Sequence, residues 1–186
     1  MDNNDLLKKI AELQGNYYSE NQKNIFFKKS QKNDCAASIS NTLDTQTLLA
    51  NTVYLINNTN RIYFDYNVFK TYANENNYEL IIDRIITLFD CCVENFDSYE
   101  FHFNVNSFTV SATERYKKVI NLFLNKCFSS NTYYSNKLTT MYIYNIPSMF
   151  DQISRILNPF IDPIVRNKII LIDKQQSIES LKKLLE

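Results

Sequence analysis

Between Leu138 and Ile172 two proline breaks divide the chain into pieces that read as strand, helix, helix and strand. Met141 to Tyr144 is too short a run for a helix and too apolar for a loop. With apolar residues on both faces, it is expected as a central strand buried on both sides. Asn145 and Pro147 stop it. Met149, Phe150, Ile153, Ile156, Leu157 and Phe160 then recur at helical spacing on one face, and Ile161 follows. Asp162-Pro163 reads as an N-cap followed by a first-turn proline, with Ile164 beyond it. Ile169 to Ile172 is expected as another buried strand.

The preceding sequence alternates in the same way. Asp5 to Gln14 forms a short amphipathic pattern, and Gly15, the single glycine, stands where a helix C-cap would want it. Asn16 to Thr42 is polar, interrupted by Tyr17-Tyr18 and Ile25-Phe26-Phe27, and is expected as a loop or loosely packed arm. Leu43 to Ala50 fits two helical turns. Val53 to Ile56 and Arg61 to Phe64 read as short strands around an Asn-Asn-Thr-Asn turn. Tyr78 to Phe96 carries the clearest helical stripe, with Ile81, Ile82, Ile85 and Phe89. Tyr99 to Val105 alternates, with Phe101 and Phe103 on one face and Glu100, His102 and Asn104 on the other. Ala112 to Phe128 is expected as one helix, and Ser177 to Leu185 as another, capped by Ser177. Strands alternating with helices give an α/β fold: a mainly parallel sheet flanked by helices and joined by right-handed crossovers. The expected division is an N-terminal helix and polar arm over 1–51, then one compact domain over 52–186.

Composition excludes more than it assigns. Twenty basic residues balance twenty acidic ones, and no basic stripe is visible, so a nucleic-acid partner is not expected. The cluster Lys28, Lys29 and Lys32 reads as a solvated loop. Cys35, Cys91, Cys92 and Cys127 lack metal-ligand spacing and read as free, mostly buried thiols, suited to a reducing compartment. No signal peptide or membrane-spanning run is recognised. The expected setting is therefore the cytoplasm, with any membrane contact peripheral. One glycine precludes a Gly-rich phosphate loop, no Gly-x-Ser-x-Gly elbow occurs, and His102, the single histidine, reads as a hydrogen-bonded structural residue. Neither an enzyme nor a cofactor is expected.

The run from Tyr134 to Ile169 resembles the CRAL-TRIO lipid-binding family, whose pattern is a tyrosine-led turn, a strand ending Asn-Ala-Pro, a helix ending Phe-Leu-Asp-Pro, and a Lys-Ile strand. The matching residues are Tyr134 and Leu138, then Tyr142, Ile143, Asn145 and Pro147, then Phe150, then Phe160, Ile161, Asp162 and Pro163, then Lys168 and Ile169, without a gap. A weaker match reaches back to about Val53.

The resemblance implies a sheet that floors an apolar pocket and a helical gate, Met149 to Phe160, hinged around 145–148 and 158–163. It implies a pocket and gate drawing on Met149, Phe150, Ile153, Ile156, Leu157, Phe160, Ile161, Ile164, Phe101, Phe103, Tyr142 and Tyr144. Lys168 stands where phosphatidylinositol-binding relatives place a headgroup lysine, and Asn136 stands where they place its acidic neighbour. A plain surface lysine is the alternative for Lys168, and ordinary core packing is the alternative for the gate stripe. Further departures are Asn104 for an aspartate, Ser107 for a glycine, Ser148 for an aromatic, and an N-terminal three-helix segment reduced to a short helix. The implied function is non-enzymatic binding or transfer of a phospholipid, phosphatidylinositol among the candidates, or of a similar hydrophobic molecule such as a retinoid or tocopherol, with transient visits to membranes. The alternative is an interaction scaffold with a protein partner and a filled, vestigial pocket.

Overall fold

The apolar runs at 53–56, 61–64, 99–105, 141–144 and 169–172 become the strands of one sheet. The computed structural model describes residues 3–21, 28–129 and 132–186. Helices α1 (Asn3–Glu20), α2 (Lys28–Thr42) and α3 (Thr45–Thr52) precede β1 (Val53–Leu55) and β2 (Arg61–Asp65). Helices α4 (Tyr66–Tyr72) and α5 (Tyr78–Phe96) lead to β3 (Tyr99–Asn104). Then α6 (Val110–Arg115), α7 (Lys117–Leu124), a π turn (Asn125–Ser129) and α8 (Thr132–Lys137) lead to β4 (Leu138–Tyr144). After α9 (Phe150–Leu157), a 3-10 turn (Asn158–Phe160) and α10 (Pro163–Arg166) come β5 (Ile169–Ile172) and α11 (Lys174–Leu185).

The sheet order is β1-β2-β3-β4-β5. β1 pairs antiparallel with β2, and the other three pairings are parallel. Parallel strands laid down in sequence order by right-handed crossovers place every crossover on one face. Register then decides which side chains meet those helices. Ile62, Phe101, Met141 and Ile169 form one row across the sheet, and Phe64, Phe103, Ile143 and Leu171 form the next. Both rows face α5, α7 and α9. The alternate positions Tyr63, His102, Tyr142 and Ile170, with Asn104, Tyr144 and Ile172, face the opposite way. There α11 lies across them, Leu184 packing with Tyr63 and Tyr144.

Local chemistry sets the joints. Asn145 ends β4 in the left-handed region at φ 59. Its N–H donates to Ser177 Oγ at 2.7 Å, and its amide donates to Asn104 Oδ1 at 2.9 Å. Asp162 caps α10 as expected, accepting from the Ile164 N–H at 2.7 Å with Pro163 in the first turn.

Several expectations are corrected. The described residues of the stretch 16–42 are not a loose arm: α1 continues through Gly15 to Glu20, and α2 occupies Lys28–Thr42. The expected polar stretch therefore supplies a helix between the short first helix and the expected turns of α3. Cys35, Ile39 and Leu43, four residues apart, bury one face of α2 and its end in the same core as Leu6, Ile10, Phe64 and Tyr72. Residues 25–27 lie outside the described part. The helix expected over 112–128 is broken at Tyr116, which is buried and donates to the Lys70 carbonyl while packing on Phe69. Ser177 is not a cap; α11 starts three residues earlier on Asp173, which accepts from the Gln176 N–H. β5 is the sheet edge rather than a buried strand, with Ile170 and Leu171 exposed.

Gly15 thus lies at an exposed position inside α1, and a Cβ built on it meets nothing within 4 Å. Gly15→Ala is expected to raise unfolding stability by about 0.5–1 kcal/mol, measured by urea denaturation. A loss would place the helix end at Gly15 after all.

Candidate functional site

The two apolar rows do not meet the helices in full contact. Between them lies a cavity of about 450 Å³, within the range of small-molecule pockets. Phe64, Phe101, Phe103, Met141 and Ile143 form its floor, and Ile81, Ile82 and Ile85 of α5 with Val119, Ile120 and Phe123 of α7 form one wall. The opposite wall is the segment between the prolines: Pro147, Phe150, Ile153, Leu157, Ile161 and Val165. Polar side chains enter the lining only from that wall, apart from two tyrosines at the far side: Ser154, Asn158 and Arg166. The Asn158 amide donates to Ser154 Oγ at 3.1 Å.

Lys168 lies outside this lining. Its ammonium donates to the carbonyls of Ser135 at 2.8 Å, Asn136 at 3.3 Å and Leu138 at 2.5 Å. An ammonium has three donors, so all are engaged where α8 passes into β4. Asn136 is exposed and meets Lys168 through its backbone oxygen.

The CRAL/TRIO domain model matches residues 63–186, two thirds of the chain. The chain belongs to the CRAL/TRIO domain family. That family is one of lipid-binding and lipid-transfer proteins, and its members are generally non-enzymatic. Among solved structures, the crystal structure of Sfh5 matches with a TM-score of 0.60 at 16% identity. The match covers 83% of this chain and 56% of that one, so the chain spans a little over half its length and the likeness speaks to fold. No curated protein matches the sequence.

Against this CRAL/TRIO framework the expected site residues separate into three groups. Phe101, Phe103, Phe150, Ile153, Leu157 and Ile161 line the cavity together. Met149, Phe160 and Ile164 point outward from the gate segment and are exposed, while Ile156 is half-buried and outside the lining. Tyr142 and Tyr144 are misplaced by the expectation. Strand alternation puts them on the far face, where with His102, Arg61, Glu100 and Lys183 they border a cleft of about 230 Å³ beside α11. The α5 and α7 stripes were legible as apolar faces but read as plain core; nothing in their spacing marks the side that borders a void.

His102 is held on that far face. A carboxylate only accepts, so Nε2 donates to Glu100 at 3.2 Å and Nδ1 accepts from the Tyr144 hydroxyl at 2.8 Å, with Tyr142 stacked on the ring. Burial pushes the imidazole below its ordinary value of 6.5, helped by Arg61 and opposed by Glu100. Burial likewise raises the Tyr144 phenol to about 12.

Two predictions follow from these contacts. Lys168→Met leaves three carbonyls without their donor and is expected to lower stability by about 1–3 kcal/mol in urea unfolding. A weaker ligand affinity at unchanged stability would mark a headgroup lysine instead. For His102, the unfolded chain binds the proton more readily than the folded one, so stability is full above pH 6.5 and declines as pH falls below it. His102→Gln should flatten that acid limb in a series of thermal melts; an unchanged limb would assign the titration to other groups.

Proposed function

We propose that this chain is a non-enzymatic lipid-binding or lipid-transfer protein, acting in the cytoplasm and peripherally at membranes, that sequesters a phospholipid or similar hydrophobic molecule in the cavity. The observation that carries the reading is the volume enclosed between sheet and gate segment. At roughly 30 Å³ per heavy atom, about the share of a water, it accommodates on the order of 15 heavy atoms, one hydrocarbon chain. At about 0.8 kcal/mol per methylene, filling it is worth about 12 kcal/mol.

In this reading Phe150, Ile153, Leu157 and Ile161 of the gate segment contact the hydrocarbon from one side, and Phe101 and Phe103 from the other. The exposed Met149, Phe160 and Ile164 are the membrane-facing side of the same segment. Residues 52–186 form the lipid-binding domain, buttressed by the helices before it. A phosphatidylinositol headgroup at Lys168 and Asn136 would have to displace three backbone carbonyls from the ammonium, so the headgroup is assigned elsewhere on the gate side. The scaffold alternative needs a pocket filled by its own side chains, and no observation here favours it.

Ile143→Trp tests the proposal. Ile143 sits on β4 facing the cavity, so a larger side chain should occupy the void. Native mass spectrometry after incubation with vesicles containing phospholipid, lysophospholipid and fatty acid is expected to show lipid on the wild-type chain and little on the variant. Stability should hold or rise, whereas a packed core would lose about 1–3 kcal/mol on overpacking. A wild-type chain that stays empty, together with a destabilised variant, would refute the carrier reading.

A further inference from the structure

We infer that the ligand carries a single hydrocarbon chain and an anionic head, and that Arg166 is the head's anchor. The inference rests on the lipid-binding reading and narrows it to a ligand class. Size is the first argument, since about 450 Å³ matches one acyl chain and a second tail would have to lie outside it. Polarity is the second. Floor and inner wall are aliphatic and aromatic, and the side chains of Ser154, Asn158 and Arg166 all enter from the gate segment and α10. An amphiphile therefore has one orientation open to it, tail on the phenylalanine floor and head towards that wall.

Charge is the third argument. Among the described residues no ion pair involves Arg166. The nearest carboxylate in its own helix turn, Asp162, accepts from the Ile164 N–H at the start of α10. Lys168, two residues on, is held by backbone carbonyls. Arg166, exposed at the border of the cavity, is thus the one cation of the lining, without an ion pair among the described residues, and its planar fork fits a carboxylate or phosphate with two parallel hydrogen bonds. Asn158, whose amide donates to Ser154 Oγ, lines the same side of the cavity and is the second candidate contact for the head.

The test uses the full chain and Nile red, a neutral dye that reports the cavity itself. Hexadecanoate, hexadecyl phosphate and hexadecan-1-ol compete for it at pH 8 below their aggregation limits. Both anions should displace the dye at concentrations about tenfold or more below the alcohol, the range set by one charged hydrogen-bonded contact. Their relative potency identifies a carboxylate or a phosphate as the preferred head. Arg166→Gln should remove the anion preference and leave the alcohol unchanged, Arg166→Lys should keep much of it, and Asn158→Asp should weaken the anions selectively. Equal displacement by alcohol and anions, or a preference that survives Arg166→Gln, would overturn the inference while leaving lipid binding intact. A chain that takes up neither dye nor any of the three competitors would remove the lipid-binding reading and this inference with it.

Discussion

All the crossovers from β2 to β5 turn with the same hand, and that handedness gives the sheet two unlike faces. One face receives every connecting helix and carries the rows through Phe101 and Phe103; the other receives α11 and carries His102, Tyr142 and Tyr144. A doubly wound sheet would share its helices between both sides and fill each. Here α5, α7 and α9 must cover four parallel strands from one side. Helix α9 is eight residues long, about 12 Å, and is bounded by Pro147 and Pro159. It stands over the sheet edge instead of filling the layer, and the volume beneath it is the cavity.

The strands, α5 and the proline joints were legible because their signals are local: short apolar runs, a long stripe of period 3.6, and an Asp-Pro start. What escaped was set by distant contacts. Helix α2 has few apolar residues, and its helical state depends on Cys35 and Ile39 finding the core formed by α1 and α4. Tyr116 breaks a helix whose periodicity is unbroken because its ring and hydroxyl are fixed from α4. Strand alternation on β4, visible in the sequence, placed Met141 and Ile143 opposite to Tyr142 and Tyr144. The resemblance led to both tyrosines being assigned to the pocket, when the period of two allows only one set there.

Two positions where the resemblance implied other surroundings show what this chain does there. Ser107, where a glycine was expected, lies at φ 66, a conformation costly for a residue with a Cβ. Its hydroxyl accepts from Lys70 Nζ at 2.6 Å, which helps hold the turn. Lys168, the expected headgroup lysine, instead directs its ammonium to the carbonyls at the α8–β4 junction.

The energetics of exchange constrain how such a cavity is loaded. A chain leaving the cavity for water would forfeit nearly all of its roughly 12 kcal/mol of burial, which would make release through water too slow to serve a carrier. A bilayer offers the same hydrocarbon environment, so transfer is near balance only while the cavity opens directly onto it. The gate segment joins the two requirements mechanically. Ile153 and Leu157 line the cavity, and Met149 and Phe160 of the same segment face outward. Between the joints at Asn145 and Asp162 these two surfaces are parts of one short piece of chain. In the proposed lipid-transfer reading, a displacement that seats the outer residues in a membrane would move the cavity wall with them and so couple opening to the presence of an acceptor.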